Sequence, residues 1–475
     1  MSTLLSETLR EVIAEHSVIV AHLAKDSDID RTTLQHIIGG RRVPSKVQMV
    51  KLLNHIPIPE HKKTILSHAY EVATNEPDKL QTREKVKSIV EKIAFASMAK
   101  PSDAGLPQAS TTPGTCDSED LYGTSEVHDA LIKLLSEEDE MVSFFMPPNF
   151  SFFYDTLFAK YIASPNLAVT CFFPISAEFG NTLADLEYFE TFIPFWASAK
   201  HNFSAYYMRG QKSLCDTTII PFPYFALTRD HVFLLSADMS HAVLTKQETF
   251  VRMYHKKCKD FSCIGSPLFT SPSIQDLLVF FPNANSSKDI TASIECQPCF
   301  QYYFTEQLIR KYTDMNSAEY AAFLEQYIKY VKELQDEPNI FSAFGREGLM
   351  RFALDGVIAV WPPSLTRPLE VPDRIRLLEL ILHDIKNDKY NCRVVDTSMI
   401  TIPRPSTVIG VRRKTVVLQC LDYENGNVKN LCFTAKNIVE AFADFFENLS
   451  NSSLVHSKEE TVKVFEDALE KLKAL

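Results

Sequence analysis

Glycine is scarce in this chain, 13 residues in 475, and tryptophan is scarcer still at 2. So little glycine argues against a nucleotide-binding fingerprint, and no Gly-rich phosphate loop is present. Gly-x-Ser-x-Gly and His-Glu-x-x-His are both absent, which removes the strained serine elbow and the zinc-protease helix. No apolar run approaches membrane-spanning length, and the stretch near Met141 is broken by Pro147-Pro148. Nor does a basic–apolar–small-residue pattern mark a signal peptide. The expectation is a cytoplasmic protein with no membrane partner. The 10 cysteines are scattered, which suits reduced thiols. The single Cys-x-x-Cys pair, Cys296-Gln297-Pro298-Cys299, reads either as a redox switch or as two idle thiols. A zinc ribbon needs a second pair, so no metal and no cofactor are expected. Cys258 and Cys263 form no motif.

What is present begins with length. A chain of 475 residues is too long for one core, and two or three domains are expected. Its hydrophobic content of 45% beside 23% charged residues is that of an ordinary globular protein, with a formal net charge of −11.

Against that acidic background one stretch stands out. From Arg31 through Pro59 no acidic residue occurs, while Arg31, Arg41, Arg42, Lys46 and Lys51 are basic. The spacing around it predicts two short helices joined by a tight turn at Asp28-Ile29. Leu23-Ala24 lie on the first, and Asp30 caps a second that runs to about Ile38. Gly39-Gly40 ends that helix, and Arg41 to Ser45 leads into the next. Leu34, Ile37 and Ile38 fall on an inward stripe with Leu23, Ala24 and Ile29. Arg31, Thr32, Gln35 and His36 are left on the opposite face. Arginine and glutamine make bidentate contacts to guanine and adenine edges, and threonine suits a thymine methyl. Arg41, Arg42 and Lys46 are placed to meet phosphates. A small helical bundle with a basic face is the other reading of the same spacing.

Residues Leu9 to Tyr70, about 15% of the chain, resemble the Xre/Cro type of helix–turn–helix domain, a five-helix bundle found in DNA-binding repressors. The resemblance runs in one register through Leu23-Ala24, Ile29, Arg31-Thr32-Thr33-Leu34, Ile37, Gly40, Arg41-Arg42 and Pro44-Ser45. It implies a bacterial transcriptional regulator that binds double-stranded operator DNA as a homodimer. Two positions depart from the family. Val20 and Ala21 stand where a glutamine is usual, and Ile38-Gly39 stands where a glutamate often precedes the Arg/Gly pair. The departures imply a half-site affinity that leans on dimerisation.

The rest of the chain is expected as follows. Residues 1–75 are the helical head, and 76–98 an amphipathic connecting helix with Val86, Ile89, Val90 and Ile93 on one stripe. That stripe pairs either with its twin in a dimer or with the head's own bundle. Residues 99–124 are rich in Pro, Ser, Thr and Gly and read as a flexible linker. Alternating strands and helices then predict a large α/β (α+β) effector module in two related halves, 125–300 and 301–475. Thr305–Leu334 is taken as a helical connector within the second block, and Ser457–Leu475 as a final amphipathic helix. Phe189-Glu190 through Phe203 tracks Leu378-Glu379 through Cys392, and Phe250-Val251 with Tyr254 tracks Ile438-Val439 with Phe442.

A duplicated α/β layout, together with segments such as residues 228–240 (TRDHVFLLSADMS), resembles the phospholipase D-like fold, which in some regulators is a degenerate sensor. Enzymes of that kind need a His and a Lys two positions apart in each half, with an Asp further on. His255/Lys257 and His456/Lys458 are so spaced, but Ser262 and Lys463 occupy the Asp positions, and the pairs fall at inequivalent places. The resemblance therefore implies an inactive scaffold, not an enzyme. The aromatic clusters (Phe 33 and Tyr 17 in all) are read as core, with a minority lining an apolar pocket for an unknown small-molecule effector or a dimer interface. Arg209 and Arg229 suit either an anionic ligand or plain surface. The overall expectation is a sequence-specific regulator with a ligand-sensing or dimerisation module. The alternatives are a diverged phosphodiesterase or nuclease with a DNA-targeting head, and an interaction protein that no longer binds DNA.

Overall fold

A computed structural model describes residues 4–74, 77–98, 117–175, 182–198, 202–209, 221–268, 290–313, 318–336, 340–361, 363, 366–402, 407–412, 414–422 and 427–474. The chain is multidomain and of mixed α and β structure. Five helices come first: α1 (Leu4–Glu15), α2 (Val20–Asp26), α3 (Arg31–Ile38), α4 (Lys46–His55) and α5 (Glu60–Thr74). Leu9, Leu23, Leu34, Leu52 and Leu66 are each almost fully buried in one small core that all five helices share.

Helix α6 (Pro77–Met98) follows. Val86, Ile89, Val90 and Ile93 do form one buried stripe, but it covers neither a twin helix nor the head. They belong to the core of the α/β module, which corrects both readings of that stripe. The module offers a larger apolar surface than five short helices can, and burial follows the larger surface.

The first mixed sheet is built from β1 (Ser118–Tyr122), α7 (Thr124–Glu137), β2 (Met141–Phe145), α8 (Ser151–Ala163), β3 (Ala168–Ile175), α9 (Thr182–Ala197), β4 (Phe203–Arg209), β5 (Tyr224–Leu227), β6 (Val232–Leu235), β7 (His241–Thr245), α10 (Glu248–Ile264) and β8 (Ser266–Pro267). Its strand order is β1-β7-β6-β5-β2-β3-β4-β8. The second sheet contains β9 (Ile290–Glu295), α11 (Glu306–Tyr312), α12 (Ala318–Gln335), β10 (Phe341–Phe344), α13 (Arg346–Asp355), α14 (Val371–Lys386), β11 (Asn391–Val394), β12 (Thr407–Arg412), β13 (Val416–Asp422), β14 (Asn427–Phe433), α15 (Lys436–Leu449) and α16 (Lys458–Lys473). Its order is β11-β10-β9-β12-β13-β14.

Read from the same edge, β7-β6-β5-β2-β3-β4 and β14-β13-β12-β9-β10-β11 are the same sequence of strands. In both, three strands are parallel, β2-β3-β4 and β9-β10-β11, and the next strand in the chain, β5 or β12, joins the free edge of the first of them antiparallel. The pairs aligned by sequence, α9–β4 with α14–β11 and α10 with α15, hold equivalent places in that order.

Two expectations are corrected here. The helices over 305–334 lie between β9 and β10, inside the second sheet's chain path rather than between the halves, because β9 already opens that sheet at Ile290. The linker expected over 99–124 lies outside the described residues as far as 116. Its end is the edge strand β1, paired antiparallel with β7 from Ser118–Thr245 to Tyr122–His241. β1 escapes a sequence reading because an edge strand supported by backbone hydrogen bonds needs no apolar run.

Helix α6 lies against α9 beside the first sheet and α15 beside the second. Arg83 forms a two-pronged ion pair with Asp444 of α15, at 2.6 and 3.0 Å. Glu190 of α9 accepts from Lys85 Nζ at 2.6 Å and from Ser88 Oγ at 2.5 Å, with Lys92 at 3.4 Å. The helix that leaves the five-helix unit is thus fastened to both sheets' helices at once. Among the described residues, no helix is long and apolar enough to cross a membrane.

Candidate nucleic-acid interface

Helices α2 and α3 end alike. Asp28 N donates to Lys25 O and Ile29 N to Ala24 O, while Gly40 N donates to Ile37 O and Arg41 N to His36 O. In each case the residue past the helix takes a positive φ, 51° at Asp28 and 71° at Gly40. This closing pattern satisfies the last carbonyls and turns the chain sharply. Glycine meets the requirement at 40 without strain. At 28 an aspartate tolerates it, and its carboxylate accepts from Lys51 Nζ of α4 at 2.9 Å.

Helix α3 starts on Asp30, whose Oδ1 accepts from Thr33 N at 3.0 Å. That hydrogen bond holds the Asp30 carboxyl below its ordinary value, so the cap stays charged through the neutral range. It also leaves the amino end of α3 occupied by the protein's own anion. Any phosphate at this surface must therefore be met by side chains rather than by helix-end amides. Ser45 caps α4 reciprocally with Gln48, Gln48 N donating to Ser45 Oγ and Ser45 N to Gln48 Oε1.

With Leu34 and Ile37 buried inward, Arg31, Thr32, Gln35 and His36 are all exposed on α3, and Arg41, Arg42 and Lys46 are exposed just beyond it. None of Arg31, Arg41, Arg42 and Lys46 enters an ion pair among the described residues. Lys51, part of the same basic run, does: its partner is Asp28. The residues that sequence reasoning passed over here are valines. Val43, Val47 and Val50 are exposed, Val47 most at 67%. Their spacing around the start of α4 was legible, but α4 was read only as the next helix.

The residues with possible catalytic or ligand chemistry are engaged elsewhere. His255 Nε2 is 3.1 Å from Arg229 O, and the Lys257 ammonium lies over the rings of Tyr254, Phe261 and Phe225. His456 is near Glu460 at 3.7 Å, and Lys458 pairs with Asp388 at 2.5 Å. The first pair lies on α10 beside the first sheet, the second at the start of α16 beside the second. Arg229 forms an ion pair with Glu140 at 2.6 Å, and the Arg209 side chain lies outside the described residues. Burial pushes the Cys296 thiol up to about 12 and raises the Cys299 thiol well above its ordinary value, so neither is a thiolate at neutral pH. Phe144, Phe153, Phe172 and Phe173 are core, as expected of most of the aromatics.

No family model matches this chain, and no curated protein matches it. Three solved structures show a likeness at 10% identity. An archaeal chromatin protein, TrmBL2, described as showing a novel mode of DNA binding, aligns over 55% of this chain and 99% of its own, with a TM-score of 0.23. A phosphatidylserine synthase from Haemophilus influenzae Rd KW20 aligns over 76% and 93%, with a TM-score of 0.24. A polyphosphate kinase from Porphyromonas gingivalis aligns over 75% and 55%, with a TM-score of 0.23. Likeness at this level shows neither a fold nor a role shared with this chain.

Proposed function

We propose that this chain is a cytoplasmic, sequence-specific transcriptional regulator of the helix–turn–helix kind. Its head, residues 1–75, sets α3 in the major groove of double-stranded operator DNA, and its α/β module senses a ligand or holds the dimer. The observation that carries the reading is the division of α3: one face is buried, and the other presents Arg31, Thr32, Gln35 and His36 to solvent beside three unpaired cations. Arg31, Thr32, Gln35 and His36 read base edges; Arg41, Arg42 and Lys46 hold phosphates. A homodimer places two such helices one DNA turn apart on a palindromic site.

The route for a signal runs through α6. Because α6 is fastened to α9 by Glu190 and to α15 by Asp444, a shift between the two sheets moves α6, and the head with it. A change in the spacing of the two recognition helices then changes operator affinity. The chain is not read as an enzyme: the two His-x-Lys pairs hold inequivalent places, one inside α10 and the other beyond its counterpart α15, and each lacks its Asp.

Selection of fragments from the native genome with the purified full chain tests the reading. Recovery of a palindromic sequence supports it; recovery no better than from random DNA refutes it. A second reading draws on the exposed Val43, Val47 and Val50, which suit a head that contacts protein instead of DNA. It predicts no enriched fragment, and a change of oligomeric state on Val47→Asp.

A further inference from the structure

The face of the second sheet that looks towards α12 is not fully apolar. A cavity of about 70 Å³ lies there, lined on the strands by Ser293, Glu295, Gly410, Arg412 and Gln419. Cys299, Gln301 and Tyr330 border it, and Leu334, Ile340, Val408 and Val417 give it apolar walls. It runs along the face of β9 from Ile290 to Glu295, the strand from which the sheet grows outward both ways, through β10 on one side and β12 on the other.

Three features of this cavity are not those of a packing defect. Glu295, the last residue of β9, is only 9% exposed, and no cation pairs with it among the described residues. Ser293, two residues earlier on the same face, is 5% exposed, and its Oγ has no hydrogen-bond partner. Gly410, directly across from Ser293 on β12, has nothing within 4 Å of where a Cβ would stand. A buried carboxyl and a buried unpaired hydroxyl facing open space are costly unless something meets them.

We propose that this cavity binds a small primary amine, whose ammonium group is held by Glu295 and Ser293 while its short aliphatic body lies against Val408, Val417, Leu334 and Ile340. A carboxylate ligand would meet like charge at ionised Glu295, and a neutral one leaves that carboxyl without a counter-charge. The volume holds about five waters, or an amine of about five non-hydrogen atoms. Burial pushes the Glu295 carboxyl up to about 7, the nearby Ser293 hydroxyl softening the shift without closing a hydrogen bond of good geometry. The other titratable or charged groups at the cavity are Cys299 and Tyr330, which burial keeps protonated at neutral pH, and Arg412. Arg412 pairs in register with Ile290, at the opposite end of β9 from Glu295. An ammonium ion therefore competes with a proton at Glu295.

This deepens the regulator reading by naming where its signal enters. Measuring binding without DNA keeps the two separable, since a head that fails to bind DNA leaves this result untouched. The probe is n-butylammonium, with n-butanol and butyrate as comparisons, titrated into the full chain by calorimetry at pH 6, 7 and 8. We expect butylammonium alone to bind, about tenfold more weakly at pH 6 than at pH 8. Glu295→Gln removes binding through the charge, and Gly410→Val removes it by filling the space without a clash. The wild-type pH series needs no variant, so a variant that misfolds does not shelter the proposal. No binding by wild type, equal binding of butanol or butyrate, pH-independent affinity, or undiminished binding by Glu295→Gln would each overturn it.

Discussion

Replacing Ile89 by alanine tests whether α6 belongs to the α/β module. Ile89 is 1% exposed and sits in one core with Val90, Ile93, Phe189 and Phe442. Alanine removes three carbons, about 0.8 kcal/mol each in transfer alone, or about 2.4 kcal/mol. The cavity left behind raises this to about 3–4 kcal/mol, since α9 and α15 are tied by ion pairs and close in only partly. The chain's 2 tryptophans, Trp196 on α9 and Trp361 after α13, both lie outside the head. Tryptophan fluorescence during urea unfolding therefore reports the module. We expect the module's unfolding free energy to fall by that amount relative to wild type at the same protein concentration, while Phe95→Ala, at a position 64% exposed, leaves it unchanged. A loss under about 1 kcal/mol would refute the docking of α6.

Three further outcomes follow from the same contacts. Burial raises the Glu190 carboxyl, but the hydrogen bonds from Lys85 and Ser88 and the charge of Lys92 outweigh it, so it stands below its usual value. Stability from a lowered folded pKa is present above the unfolded value and lost as pH falls through the folded one. Module stability should thus drop below pH 4.5, and Glu190→Gln should flatten that acid limb while costing about 1 kcal/mol at neutral pH; an unchanged acid limb counts against the clamp. Ser45→Ala removes a reciprocal cap and should weaken α4 by about 1 kcal/mol, seen as faster amide exchange in α4 with α9 unaffected. Gly356 has φ +75°, and a Cβ there would meet Leu369 O at 2.4 Å, so Gly356→Ala should destabilise the module by more than about 1 kcal/mol in the same urea assay.

Local signals in this chain were legible wherever chemistry and period agreed. Asp30, Gly40 and Ser45 mark the ends of α3 and the start of α4 by their own backbone preferences, and the structure has those ends. The strand β3 reads out of its apolar run, and α15 out of its stripe of Ile438, Val439, Phe442 and Phe446. Other elements were hidden for physical reasons. In α8, Phe153, Tyr154, Leu157 and Tyr161 are buried around most of the helix, which leaves no polar face to give a period. β9 alternates Ala292 and Ile294 with Ser293 and Glu295, and its polar face lines a cavity, so it looks like surface while being interior. Where α6 docks was not legible either: its stripe states that it is buried but not by what. The exposed face of α3 could be read directly, because exposure on a short helix follows from which residues must go inside.

The regulator reading is tested most directly by titrating the recovered DNA fragment with the full chain at 50 and 200 mM salt, alongside Arg31→Ala and Gln35→Ala. Arg41, Arg42 and Lys46 give six phosphate contacts in a dimer, so affinity should fall about 10³-fold across that range. Each variant should lose about 1–3 kcal/mol and relax the preference at one base position. Affinity indifferent to salt, or variants that keep the wild-type sequence preference, would contradict the placement of α3 in the major groove.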